Sequence, residues 1–231
     1  MKNSIKKFIK NLFIIILFSL PVVCSAESNN DNLLQFKISS LQLFSSFSAF
    51  IYFQGDDRNR TRLLNAKEKG DQAISLLPNS KLKLKLKWID ISNFVASYKT
   101  HRFDGLDMSM EVGWSIHQKE LIAILAERNK VEATGIADVQ IKMEIILSQY
   151  MGYANSTTGG YGVSYGNVSL EEQIEIMQKE LSELAQADNK YQSLFEQWSY
   201  IHKALLAYNT NVAPFIVLHT FDRMRKIIAG Y

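Results

Sequence analysis

The chain has 231 residues, 47% of them apolar and 21% charged, with a formal net charge of +3. Those proportions exclude a disordered polar tail, a collagen-like fibre and a disulfide-dense miniprotein, and the length suffices for a full hydrophobic core. Three prolines and eleven glycines are few for an all-β protein of this size, which would need many turns.

Residues 1–26 read as an export signal. Lys2, Lys6, Lys7 and Lys10 form a positive start without an acid, and Leu12 to Cys24 is apolar apart from Ser19 and Pro21. Cys24-Ser25-Ala26 then sets small residues at −3 and −1, which predicts cleavage before Glu27. An apolar run of about 13 residues is short for a bilayer span, which needs about 20. Two alternatives stand beside it: an uncleaved inner-membrane anchor through residues 11–24, or a lipoprotein acylated at Cys24, against which Val23 and Pro21 argue. Cleavage removes four lysines and no acid, so the mature chain carries −1 rather than +3. The basicity therefore belongs to the leader, and nucleic acid is not an expected partner. Cys24 is the single cysteine, so the mature protein has no disulfide, thiolate nucleophile or cysteine metal site.

Helical periodicity dominates the rest. Residues 33–54 space Leu34, Ile38, Leu41, Phe44, Phe47 and Ile51 by three and four, with serines between, up to a stop at Gly55. Asp56-Asp57 offers an N-cap for a helix over 57–77 through Leu63, Leu64, Ala66, Ala73 and Leu76, closed by Leu77-Pro78. Lys81 to Trp88 alternates like a strand, yet Leu82, Leu86, Ile89 and Asn93 also follow a helical stripe. Without a partner strand to satisfy its backbone, a helix over 81–99 is preferred. After a connection at Phe103 to Asp107, a long helix is expected over 108–152, with Val112, Ile116, Leu121, Leu125, Val139, Met143 and Tyr150 among its inward residues. Five glycines within 152–168 predict a loop or hairpin tip. Ser169 and Glu172 form a capping box before an apolar seam from Leu170 to Leu205 that only Asp188 and His202 interrupt. Pro214 opens a short last helix ending near Lys226 to Ile228. The expected fold is all-α: one antiparallel bundle of four to six helices over 27–231, with a long helical hairpin at about 108–152 and 169–208.

Sites of chemistry are sparse. His101, His117, His202 and His219 lie in no metal motif, and His117 with Glu120 makes only half of a di-iron pattern, in reversed order. No metal or cofactor is expected, nor a serine nucleophile motif. Asp188 and His202 are either buried polar groups that fix the seam's register or products of helical drift, in which Ile201 takes over from His202. Arg58, Arg60 and Arg62 open the second helix, where the helix dipole favours an anion or acidic partner; alternatively they spread around a solvated face. Tyr153, Tyr161 and Tyr165, among Gly, Ser and Thr, are suited to adaptable contact or form a passive connector. Asn155-Ser156-Thr157 and Asn167-Val168-Ser169 are glycosylation sequons, relevant only to a eukaryotic secretory route.

Long antiparallel helices, the Asp57-Arg58-Asn59-Arg60-Thr61-Arg62 helix start and a terminal helix bearing Pro214 resemble, across about 30–228, the periplasmic helical-bundle sensor regions of bacterial chemoreceptors and sensor kinases. Those receptors continue into a transmembrane helix and a signalling domain, whereas this chain ends at Tyr231, so no functional residue is carried over. The expected function is an exported, non-enzymatic binding or accessory module of the bacterial envelope. It would contact an envelope protein and could hold a small ligand between helices. The alternatives are a membrane-tethered sensor subunit, or a secreted effector or enzyme with a site assembled from dispersed residues.

Overall fold

A computed structural model describes residues 30–99, 108–128, 133–155 and 168–230. Helix α1 (residues 30–52) is followed by α2 (Asp57–Ser75), α3 (Leu82–Tyr98), α4 (Met108–Arg128), α5 (Ile136–Asn155), α6 (Leu170–Ala187), α7 (Gln192–Leu206) and α8 (Pro214–Ile228). Among the described residues there is no strand, and the Lys81–Trp88 alternation is helical from Leu82 onward.

Helix α1 is the axis of the bundle. Every residue from Ile38 to Ile51 is buried, so this helix is covered all round rather than on one stripe. On one side α2, α3 and α4 enclose it. Trp88 meets Phe36 edge-on with ring centroids 5.3 Å apart, and Trp114 packs against Phe44 and Phe47. On the other side α5 to α8 build a second cluster around Tyr150, Ile174, Trp198 and Phe221, which α1 joins through Ala49, Tyr52 and Phe53. The serines of α1 are what a helix with neighbours on all sides requires. They are small, and Ser40 and Ser45 return their hydroxyls to the carbonyls of Phe36 (2.7 Å) and Gln42 (3.1 Å) of their own helix. Gln54 and Gly55, at φ 55° and 75°, end α1, and the Asp56 carboxylate accepts from Asn59 N (2.7 Å) to start α2.

The all-α bundle is as expected, but the described residues form eight helices, because both long segments are interrupted. The 108–152 segment divides into α4 and α5, the latter entered through Gly135 at φ 59°. The 169–208 segment breaks at Asp188, which leaves helical geometry (φ −149°, ψ 118°) and begins a 3₁₀ turn at Asn189–Tyr191. Helix α5 also runs through Gly152 to Asn155, where a loop was expected. Several helices turn a different stripe inward. Val112 and Ile116 are 49% and 51% exposed, and Met110, Trp114, Leu121 and Leu125 face the core. Leu64 of α2, Leu76 at its C-cap, and Leu82, Leu86 and Ile89 of α3 likewise face out, the α3 core face being Leu84, Trp88, Ile91 and Val95. Two apolar stripes compete on α3 and α4, and in each the one carrying tryptophan is buried, since it removes more apolar area from water.

Trp88 also explains a glycine within α2. A Cβ at Gly70 would lie 2.2 Å from Trp88 Cζ2 and 2.3 Å from Cη2. The ring cannot withdraw easily, because its Nε1–H donates to Asp71 Oδ1 (2.8 Å) and Phe36 backs it. Overpacking costs about 1–3 kcal/mol, against about 1 kcal/mol of helix propensity gained by alanine. Gly70→Ala therefore lowers the free energy of unfolding by up to about 2 kcal/mol in a denaturant titration; a raised midpoint would refute the contact.

Candidate functional site

The first three turns of α2 and the middle of α8 face each other across α1. On α2 the residues Arg58, Arg62, Asn65 and Lys69 follow at helical spacing and share one face. On α8 His219, Asp222, Arg223 and Lys226 do the same. Gln42 and Ser46 of α1 contribute to the lining between the two helices, and the cleft encloses about 480 Å³.

A buried ion network underlies the α8 wall. Arg225 forms a bidentate pair with Glu144 of α5, from Nε (2.7 Å) and Nη2 (2.6 Å), and its Nη1 donates to Asp222 Oδ1 at 2.8 Å. Glu144 is 0% exposed, so burial alone would make its charge costly. Asp222 also takes a short contact from Arg62, which in turn donates to Asn59. Burial pushes the Asp222 carboxyl up, but Arg62 and Arg225 outweigh it and hold the group below the usual carboxylate range. Burial disfavours the Arg225 cation, and Glu144 and Asp222 more than restore it, so its pKa lies above the ordinary value. Arg58 lies over the Phe215 ring, 5.5 Å from its centroid, and its Nη2 is 3.5 Å from His219 Nδ1.

Six cationic side chains thus line the cleft: Arg58, Arg62, Lys69, Arg223, Arg225 and Lys226. Two carboxylates, Asp222 and Glu144, oppose them, and both are committed to Arg62 and Arg225. Lys69, Arg223 and Lys226 have no ion pair among the described residues. All three are exposed along the rim of the cleft, where their like charges add and favour an anion.

The expected site residues are thereby separated. Arg58 and Arg62 converge on the cleft, whereas Arg60, two residues from each, turns away. It donates to Gly55 O (2.8 Å) and Lys99 O (2.9 Å) and pairs with Asp57 (2.5 Å), tying the start of α2 to the end of α3. Tyr153 is a packing residue of α5, its ring 4.6 Å from that of Tyr208. The Tyr208 hydroxyl donates to Glu171 (2.6 Å), and partial burial with that carboxylate pushes its pKa up to about 12. Tyr161 and Tyr165 lie outside the described residues. Asp188 is an exposed cap, not a buried polar group: its carboxylate accepts from Lys190 N at 3.0 Å. Ile201 takes the fully buried seam position, and half-buried His202 lies with Nε2 3.2 Å from Glu175 Oε1. His117 and Glu120 do meet, but through Lys87, whose Nζ donates to both. Partial burial and that lysine hold the His117 imidazole below its usual pKa, hence neutral. Asn155 is buried, with Nδ2 on Ser48 O (2.8 Å), which withdraws this sequon asparagine from any glycosyl donor.

Lys69, His219, Asp222, Arg223, Arg225 and Lys226 were not singled out from the sequence. The 58/62/65/69 and 219/222/223/226 spacings were visible there, but not that α2 and α8 meet. No family model, no curated protein and no solved structure matches this chain.

Proposed function

We propose that the protein is an exported, non-enzymatic binding module of the bacterial envelope that captures an anionic ligand in the α2–α8 cleft. The observation that carries this reading is the excess of cations around the cleft, three of them without an ion pair among the described residues. The mature chain has a net charge of −1, so the cluster is a local concentration and not a reflection of overall basicity. The leader pattern of residues 1–26 supports export. Among the described residues no helix is long and apolar enough to cross a membrane.

Two measurements test it. The intact mass of the protein from the envelope fraction of its host should match Glu27–Tyr231; a full-length mass would place it at the membrane through residues 11–24. Thermal unfolding of the exported protein with inorganic phosphate and pyrophosphate should shift upward, more for the pyrophosphate, and the shift should shrink with added salt. The triple variant K69A/R223A/K226A should lose the shift while folding normally, because these side chains have no ion pair among the described residues. An equal shift in that variant, or none in the native protein, would overturn the reading.

A further inference from the structure

The basic cleft does not end at Lys69. A second cavity of about 370 Å³ adjoins it along α1 and α2, and Gln42 and Lys69 line both. Its chemistry is different. Asn32, Gln35, Gln42 and Gln140 line it with carboxamides that make no side-chain hydrogen bond to the described protein, and Gln72 reaches only Glu68, at 3.5 Å. Lys69, at the junction, is its single charged lining residue. Gln35, Ser39, Gln42 and Ser46 follow at steps of four, three and four, so one polar stripe of α1 runs under both cavities. Ile38, Ala73 and Leu76 add an apolar side to the amide half.

Resting on the anion-binding reading above, we propose that the ligand is an acidic saccharide. Its phosphate or carboxylate lies among Arg58, Lys69, Arg223 and Lys226, and its sugar ring lies in the amide half. Each carboxamide presents two donors and an acceptor, and each sugar hydroxyl is both donor and acceptor, so an array of unpartnered amides matches a hydroxylated ring. The aliphatic side chains of Ile38, Ala73 and Leu76 suit the C–H face of such a ring. A bare inorganic anion would leave the amide half unused. Among the described residues a nucleotide would find no aromatic side chain in that half on which to stack a base. An extended acidic peptide could use amides along its backbone, but its side chains would need pockets, and the amide half offers one continuous polar trough.

The test is calorimetric titration of the exported protein with glucose 6-phosphate, trigalacturonate, glucose, inorganic phosphate and hexaglutamate. At least one acidic saccharide should bind tenfold or more tightly than both phosphate and glucose. In Q35A/Q140A, whose side chains have no hydrogen-bond partner among the described residues, that advantage should fall to less than threefold while phosphate affinity stays unchanged. In K69A/R223A/K226A both ligands should be lost. Saccharides no tighter than phosphate, an unchanged advantage in Q35A/Q140A, or hexaglutamate binding tighter than any saccharide would overturn the acidic-saccharide assignment and leave the anion cleft standing. No binding by any anionic probe would overturn the anion-binding reading itself.

Discussion

Replacing Arg225 with alanine should lower the free energy of unfolding by about 3–5 kcal/mol, the usual cost of leaving one member of a buried ion pair alone. Glu144 is fully buried, and its two oxygens take Nη2 and Nε of Arg225 at 2.6 and 2.7 Å. Without the guanidinium, the carboxylate keeps its desolvation cost and loses its bidentate partner. The effect belongs to the pair rather than to the arginine, so the double variant E144L/R225M should recover most of the loss, as well-packed apolar pairs replace buried ion pairs at little or no cost. A double variant as unstable as R225A would show that Arg225 acts by some other route. Acid should reveal the same network. The Asp222 carboxyl lies below the usual range in the folded protein, so its contribution is complete above the pKa it has when unfolded. That contribution is lost as pH falls through the lower folded value. R225A removes one of the two cations that depress Asp222, and the acid slope of stability in that window should flatten. Denaturant titrations between neutral pH and pH 3 measure both effects.

Trp198→Ala should cost about 3–5 kcal/mol as well, for a different reason: it opens a cavity in a closed apolar cluster. Trp198 is fully buried within the α5–α8 cluster that includes Ile174, Leu194 and Met224, with its ring centroid 6.2 Å from that of Phe221. Its indole Nε1–H is buried without an acceptor among the described residues, however, which already detracts from the folded state. Trp198→Phe removes that orphaned donor along with part of the ring. Its loss should therefore be well under half that of W198A in the same assay. Equal losses in the two variants would mean that the N–H is satisfied. Because α7 packs against both α6 and α8, W198A should also loosen the α8 wall of the cleft. Its pyrophosphate-induced shift in unfolding midpoint should fall below the native one.

The local punctuation of the fold was readable without coordinates. Gly55 before Asp56, Leu77-Pro78, Ser169 with Glu172, and Pro214 each act through the backbone of their own few residues, and each marks a helix end in the structure. Where two signals of that range disagreed, as in Lys81 to Trp88, backbone satisfaction pointed to the helix that is observed. The break at Asp188 was also written locally, in an acidic residue inside an apolar seam, but its sign was not: the same residue could have been a buried register-setter. Local residues thus determined the helical class and most of the helix ends.

Tertiary structure decided which faces turn inward and which charges meet. Leu82, Leu86 and Ile89 form as regular a stripe as Leu84, Trp88, Ile91 and Val95, and the neighbouring Phe36, which receives Trp88, makes the second the better one to bury. The serines of α1 reveal a buried axis only once helices cover it on both sides. Arg58 and Arg62 looked like a solvated helix start because their neighbours in the cleft, from His219 to Lys226, lie about 160 residues further along the chain. Periodicity and capping act over one or two helical turns. Burial and electrostatics act between whichever surfaces the bundle brings together, and those were settled by the packing of α1 against both halves.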